Sequence, residues 1–212
     1  MKKLLKLLVC MILCFQNMQV MAETPFGTLD CMNNSNSDYI FKIKGSGQRF
    51  LLLDVFDDNG VRTGKVVVRG DKNVVLGEHE HIAFGVIFIE NNMGEFLMQK
   101  TSLEKGGEYS STGGHIVSGE DPIVSIRREV LEELGIDVSN DDIKELGFLL
   151  YDKPLRYLFY LKKDIDLNDV VVQEEEVEFV KYMTRNEIND LIEKELITKS
   201  HGILFKELLK RL

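Results

Sequence analysis

The chain has 212 residues, of which 44% are hydrophobic and 29% are charged, and its formal net charge is −9 at pH 7. This is enough apolar material for one sizeable core in a single domain. The acidic balance argues against nucleic acid as the main partner, because binding to its backbone depends on Lys and Arg, but it is compatible with a phosphorylated small molecule, since bound cations reverse the local field.

Residues 1–22 have the layout of a secretory signal peptide. A basic start is followed by an apolar run from Leu7 to Phe15, and Val20-Met21-Ala22 offers small residues before a cut ahead of Glu23. The run is shorter than the about 20 residues that a membrane-spanning helix needs, so no stable membrane span is expected. The pattern indicates export, to the periplasm or the medium. The alternative is a misassigned start or an uncleaved amphipathic extension, and the protein would then be cytoplasmic.

The next stretch, residues 23–48, is rich in Asn, Ser and Gly, which is typical of loops. We interpret it as a linker with at most one short strand, at residues 39–44. The sequence contains three cysteines, Cys10, Cys14 and Cys31. After cleavage Cys31 would remain alone, so no internal disulfide is expected, and a cysteine nucleophile is not favoured.

We expect the folded domain to span residues 49–212. Residues 50–56 and 65–69 predict two strands joined by a turn at Asp57-Asp58-Asn59-Gly60. Residues 82–90 and 95–100 predict a second hairpin, and its first strand is apolar on both faces, as in a central strand covered by helices.

His79 and His81 precede that central strand. With a spacing of two residues they would share one face of a strand and could bind a transition metal. No third nitrogen or sulfur ligand lies nearby in the sequence, so we favour ordinary loop or edge histidines.

A glycine loop and one helix follow at residues 113–136. Asp121 is a good N-cap, Pro122 suits the first helical position and Gly135 can end the helix, which predicts a helix at residues 122–134. Its apolar stripe recurs at three and four residues and consists of Ile123, Ile126, Val130 and Leu134.

Three carboxylates, Glu129, Glu132 and Glu133, crowd one flank of this helix. Like charges at this spacing repel, so a divalent cation with oxygen ligands is a natural counter-charge. Arg128 cannot neutralise all three, and is placed to hold either Glu132 or the loop residue Glu120. The alternative is a solvated acidic face, as on most Glu-rich helices.

Beyond the helix, residues 143–151 and 155–162 predict strands. Tyr151, Arg156, Tyr157 and Tyr160 could stack on a base or contact phosphate, although alternation makes at least two of them plain sheet residues. A strand at residues 178–183 leads to a capping box at Thr184 that starts a helix reaching about residue 194, and a last helix is predicted at residues 203–212.

The spacing from Gly114 to Ile136 resembles the Nudix box of the Nudix hydrolases. The resemblance implies an α/β (α+β) fold, an α/β/α sandwich with a mixed β-sheet. It also implies a Mg²⁺-dependent pyrophosphohydrolase, with Mn²⁺ as a substitute, that cleaves a nucleoside diphosphate linked to another group. The partner would thus be a small nucleotide derivative, and a homodimer is compatible with it.

The resemblance also assigns roles to residues. Glu129 and Glu133 would be the main metal ligands, with Glu132 as a further ligand and the carbonyl of Gly113 completing the shell. Arg128 and Glu120 would form a supporting ion pair.

The resemblance does not fix the general base of the reaction. Glu132 or Glu176 is expected in that role, and Glu175 is the second choice after Glu176. Family members commonly have Arg where this chain has Thr101, and often a Trp before the glycine loop, whereas this chain has no Trp. The substrate-contacting loop at residues 102–112 is therefore not assigned.

Two other functions remain open. The segment around residues 54–65 is similar to Nudix proteins related to isopentenyl-diphosphate isomerase, but that chemistry uses a cysteine, and no Cys follows position 31. A non-catalytic nucleotide-binding Nudix module is the second alternative, although such modules usually have eroded boxes and this box is intact.

Overall fold

The computed structural model of the protein describes the backbone of residues 21–24, 27–33, 39–43 and 49–50, and all of residues 51–212 except the side chain of residue 141. The strands in this part of the chain are β1 (Met21–Thr24), β2 (Gly27–Asn33), β3 (Tyr39–Ile43), β4 (Arg49–Phe56), β5 (Arg62–Val68), β6 (Ala83–Glu90), β7 (Phe96–Thr101), β8 (Tyr109–Ser110), β9 (Thr112–His115), β10 (Lys144–Leu150), β11 (Leu155–Lys162) and β12 (Val177–Met183). The α-helices are α1 (Pro122–Leu134), α2 (Arg185–Glu193) and α3 (Lys199–Arg211).

Two sheets organise the strands. The first is an antiparallel meander in the order β1-β2-β3-β4-β5. The second has the order β10-β11-β6-β7-β12, with β9 added to β6 and β8 added to β7. Within it β11 runs parallel to β6 and the other pairs are antiparallel, so the sheet is mixed, which confirms the predicted fold class.

The second sheet is splayed at its centre. Strands β6 and β7 pair only beside their turn, at Glu90 and Phe96. Further along, β9 takes the free edge of β6, and β8 takes the edge of β7. This separation places the glycine-rich strand β9 in the middle of the sheet, where the predicted catalytic helix α1 begins.

Two apolar clusters hold helices on opposite faces of this sheet. On one face Ile126, Val130 and Leu134 of α1 pack in a buried cluster that includes Ile87 and Phe159. On the other face the residues of α3 and the sheet form a second cluster, which includes Phe88, Phe96, Leu204, Phe205 and Leu208. Strand β6 contributes to both clusters, because it alternates apolar residues on both sides, so the arrangement is the expected α/β/α sandwich.

The sequence places most elements of this sandwich correctly. The helix predicted at residues 122–134 has those bounds, and β11 has the bounds predicted for it. Helix α3 begins at Lys199, four residues before the predicted start. Gly202 is buried in the first turn of α3, where a Cβ would lie 3.1 Å from Ile192, so the glycine allows α2 and α3 to approach closely.

The prediction of at most one short strand within residues 23–48 is wrong. Strands β1 and β2 join β3 in the first sheet. Asn, Ser and Gly are common both in long loops and in turns between short strands, so composition did not distinguish the two. The predicted signal peptide at residues 1–22 lies outside the described residues, apart from its last two positions. Among the described helices none is long and apolar enough to cross a membrane.

Candidate active site

The site is built on two glycines of β9, whose missing side chains leave room for the backbone of β6 at Gly113 and for the carboxylate of Glu129 at Gly114. Pairing with β6 sets Gly113 opposite Val86 and Gly114 opposite Gly85. A Cβ at Gly113 would lie 2.4 Å from the carbonyl oxygen of Gly85, and a Cβ at Gly114 would lie 2.2 Å from Glu129 Oε1. The missing side chains therefore let β9 lie against β6 and let a carboxylate of α1 lie against β9.

The loop between β9 and α1 is anchored by a buried acid, Asp54 of β4. Its carboxylate accepts hydrogen bonds from Ser118 Oγ at 2.7 Å and from the backbone N–H of Gly119 at 2.9 Å. Arg62 Nε donates to the same carboxylate at 2.9 Å. Asp54 was not among the predicted site residues, although an Asp inside an otherwise apolar strand was the available signal.

Helix α1 begins and ends as its sequence predicts. Asp121 lies at the N-cap position, but its side chain makes no capping hydrogen bond, and its nearest charged partner is Arg62 Nη1 at 3.8 Å. Gly135 ends the helix with φ of 70°. Within the predicted stripe Ile126, Val130 and Leu134 are fully buried, so the acidic flank has a fixed direction.

Arg128 lies between three carboxylates on that flank. Its Nη1 is 2.9 Å from both Glu129 Oε1 and Glu132 Oε2, and its Nε is 3.2 Å from Glu120 Oε1. Both partners considered from the sequence, Glu120 and Glu132, are therefore engaged. Burial disfavours the charged guanidinium, but the charges of Glu129, Glu120 and Glu132 outweigh this and keep the pKa of Arg128 above its ordinary value.

The carboxylates of Glu129 and Glu133 are not fully compensated by positively charged neighbours. Burial raises the pKa of Glu133 to about 8, and the negative charge of Glu129 adds to this effect. Gln99 Nε2 donates a hydrogen bond to Oε2 of Glu133 at 3.0 Å. Burial likewise raises the pKa of Glu129 to about 7, although Arg128 opposes the rise. A buried and a partly buried carboxylate with too little compensating positive charge fit a hard cation.

Glu176 lies close enough to this pair for its charge to act on Glu133. Its carboxylate forms an ion pair with Lys105 Nζ at 2.6 Å. Ser102 holds the loop that contains Glu175 and Glu176. Its N–H donates to the carbonyl of Glu176 at 2.9 Å, and its hydroxyl donates to the carbonyl of Glu175 at 2.8 Å. The first choice of base in this region, Glu176, is therefore near α1.

Within the described part of the chain no three His, Cys, Asp or Glu side chains are already grouped as a metal site. Arg128 occupies Glu129 and Glu132, while Gln99 holds Glu133. The donor set nevertheless suits an oxygen-seeking cation, since its carboxylates lie beside a glycine turn.

The histidines before β6 have another role. Asp58 accepts from His79 Nδ1 at 2.6 Å and from His81 Nε2 at 2.7 Å. His81 Nδ1 lies 2.5 Å from the carbonyl oxygen of Lys153, so this buried ring links the first hairpin to the loop before β11. The contacts match the ordinary histidines favoured from the sequence.

The aromatic residues after α1 divide between the faces of the sheet. Tyr157 is buried in the cluster under α1, and the Tyr160 hydroxyl donates a hydrogen bond to Glu90 Oε2 at 2.5 Å. Both tyrosines therefore stabilise the sheet. Tyr151 and Arg156 instead lie together, with the guanidinium carbon 5.7 Å from the ring centroid.

The fold and the site together define a class of protein. Its members are α/β/α sandwiches in which a glycine-rich segment and an acidic helix form a polar site beside a mixed sheet. Comparison with known proteins gives the family. The NUDIX domain matches residues 79–206. An uncharacterized Nudix hydrolase of Listeria innocua is 33% identical over 149 residues, which cover 65% of this chain and 82% of that protein. The chain therefore belongs to the Nudix family and is a hydrolase acting on pyrophosphate bonds.

Two further similarities are more distant. Isopentenyl-diphosphate Delta-isomerase I of Camptotheca acuminata is 30% identical over 139 residues, covering 54% of this chain and 57% of that protein. The crystal structure of DR0079 from Deinococcus radiodurans has a TM-score of 0.60 at 17% identity, covers 73% of this chain and 98% of that chain, and shows the shared fold. Nudix hydrolases generally use divalent metal ions and act on small nucleotide derivatives.

Proposed function

We propose that the protein hydrolyses the diphosphate linkage of a nucleoside diphosphate joined to a second group, with Mg²⁺ as its cofactor. The observation that supports this best is the adjacent pair of buried Glu133 and partly buried Glu129, whose raised pKa values mark a site that lacks positive charge. A hard divalent cation together with the diphosphate it binds would supply what this pair lacks.

Glu129 and Glu133 would hold the ion, with Glu132 as a further ligand and the carbonyl of Gly113 completing the set. Mn²⁺ would serve as a substitute, because it accepts the same oxygen donors. When bound, the ion supplies charge neutralisation at the diphosphate oxygens and acidifies water.

The remaining residues of the site position these ligands and move the proton. Arg128 contacts Glu129 and Glu132 and is itself anchored by the buried Glu120, so it fixes the direction of the carboxylates. In the proposed reaction a water oxygen attacks one phosphorus in line, the bridging P–O bond breaks, and Glu132 or Glu176 accepts the proton of the water.

The test is a panel of nucleoside diphosphate derivatives, assayed for product release with Mg²⁺ and with EDTA. The E129Q and E133Q variants should each lose at least about 100-fold in turnover, because each removes a charged ligand without changing side-chain size. Glu193→Gln on the exposed surface of α2 is the matched control and should retain wild-type rates. Full turnover of E133Q, or turnover in EDTA, would contradict the proposal.

The similarity to an isopentenyl-diphosphate isomerase keeps that activity as a second candidate. It is disfavoured because the chain has no Cys beyond position 31. Isomerisation of isopentenyl diphosphate by the purified protein would decide for it. Tight nucleotide binding with no product release for any substrate would instead identify a binding module.

We also propose that residues 49–212 form the functional domain and that residues 1–22 direct export before being removed. The basic start, short apolar run and small residues before Glu23 support this. N-terminal sequencing of the natural protein tests it, and an intact Met1 would contradict it.

A further inference from the structure

A row of side chains crosses the second sheet on the face that carries α3. Register places Arg156 of β11 opposite Phe84 of β6, and Phe84 opposite His115 of β9. The rings of Phe84 and His115 stack with centroids 3.9 Å apart. The guanidinium carbon of Arg156 is 5.3 Å from the Phe84 centroid and 5.7 Å from the Tyr151 centroid. Two aromatic rings thus hold the planar guanidinium in place.

Arg156 has no matching acceptor among the described residues. Its Nε is buried without a hydrogen-bond partner, and within residues 51–212 its side chain forms no ion pair, although the charge of Asp152 acts on it. Leaving a buried donor unsatisfied costs free energy, and an arginine needed only for packing could be replaced by an apolar residue without that cost. The side chain is therefore ordered but has no protein group to bind.

Positive charge converges around this row, although the chain as a whole is acidic. The charges of Arg69, Arg156 and Arg128 all act on His115, and the charge of Arg156 also acts on His201 in the first turn of α3. Asp152 is the acid whose charge acts on Arg156, and it forms no ion pair with it within the described part of the chain. The row meets the acidic helix at His115, because the backbone carbonyl of His115 accepts a hydrogen bond from Arg128 Nη2 of α1 at 3.3 Å.

We propose that Arg156, held between Phe84 and Tyr151, binds a phosphate group of the substrate that lies beyond the scissile diphosphate. This rests on the function proposed above. A planar guanidinium presents parallel N–H donors that match two oxygens of a phosphate. Because the flanking rings already hold the side chain of Arg156, it loses little conformational entropy on binding. The preferred substrates are then nucleoside diphosphate derivatives that carry an additional phosphate.

The test measures binding separately from catalysis. Affinities of the full-length protein for adenosine 5′-monophosphate and for adenosine 3′,5′-bisphosphate are compared in EDTA by calorimetry. We expect the wild type to bind the bisphosphate about 10-fold more tightly, because of the bidentate contact. Arg156→Ala should lose this preference, and Arg156→Lys should keep part of it, since a lysine retains the charge without the planar fork.

Arg127→Ala is the matched control, because Arg127 is an arginine on the exposed side of α1 that pairs with Asp137 at 2.7 Å. It should show the wild-type preference. A wild type that binds both nucleotides equally, or an R156A variant that still prefers the bisphosphate, would overturn the proposal. Melting temperatures show whether each variant folds, and R156K serves if R156A does not.

The kinetic readout separates this inference from the function on which it rests. With substrates that differ only by the additional phosphate, the ratio of their kcat/KM values should fall about 10-fold in R156A, mostly through KM. If the protein hydrolyses both substrates but never discriminates between them, the phosphate site is refuted and the proposed function stands. If no diphosphate substrate is hydrolysed while the binding preference persists, the proposed function is refuted instead.

Discussion

Removing the charge of Glu133 should stabilise the metal-free protein at high pH while abolishing turnover. The pKa of Glu133 rises from an ordinary value of 4.5 to about 8 on folding. An acid with a higher pKa in the folded protein holds its proton there more tightly than in the unfolded chain. Its contribution to stability is therefore present below pH 4.5 and is lost as pH rises through about 8.

The size of the effect follows from that difference in pKa. Each pKa unit corresponds to about 1.4 kcal/mol, so a rise of about 3.5 units gives an upper limit of about 5 kcal/mol. Relaxation and water entry reduce such penalties, and we expect about 1–3 kcal/mol at pH 9. In E133Q this penalty is absent, because the amide is neutral at every pH.

Urea unfolding of the protein in EDTA at pH 5 and pH 9 measures this. Burial lowers the pKa values of His115 and His201 to about 3 and 4, so these neutral rings also change stability, and they do so as pH falls below about 6.5. The relevant quantity is therefore the free energy of unfolding of E133Q minus that of the wild type, with E193Q as the control. A difference that stays constant between the two pH values would refute the burial argument.

Three further substitutions test the surroundings of the acidic pair. Gly114→Ala would place a Cβ 2.2 Å from Glu129 Oε1, so we expect kcat to fall at least about 10-fold, with circular dichroism showing whether the fold persists. Asp54→Asn removes the charge that Arg62 Nε contacts at 2.9 Å, and should lower the free energy of unfolding by about 1–3 kcal/mol in urea. Arg128→Lys puts a single ammonium in place of the guanidinium that contacts three carboxylates. It should weaken Mg²⁺ binding about 10-fold or more in titration calorimetry. Unchanged values in these assays would contradict the corresponding contacts.

Features of the site that depend on residues close together in the sequence were predictable. Pro122 and Gly135 mark the ends of α1, and the spacing of its apolar residues fixes which flank carries the acids. Two of the three carboxylate partners of Arg128 were also among those considered, since helix geometry brings Glu132 within reach and Glu120 lies in the adjoining loop. The third partner, Glu129, was not considered.

Contacts between distant segments were not predictable in this way. Gln99 reaches Glu133 across 34 positions, and Asp54 reaches Ser118 across 64 positions. Lys105 lies on a loop that gave no sequence signal, yet it pairs with Glu176. Each of these depends on how the strands are ordered in the sheet, and local periodicity carries no information about that order.

The parallel pairing of β6 with β11 has a consequence for the order of folding. Residues 83–90 pair with residues 155–162, so the central strand gains its parallel neighbour only after the chain that contains α1 has been synthesised. Contacts of such long sequence separation form slowly, because closing the loop costs entropy before pairing compensates it. During translation the acidic helix would therefore emerge before β11 completes the apolar cluster in which it packs, and a chain that stops before residue 162 should be degraded rather than accumulate in native form.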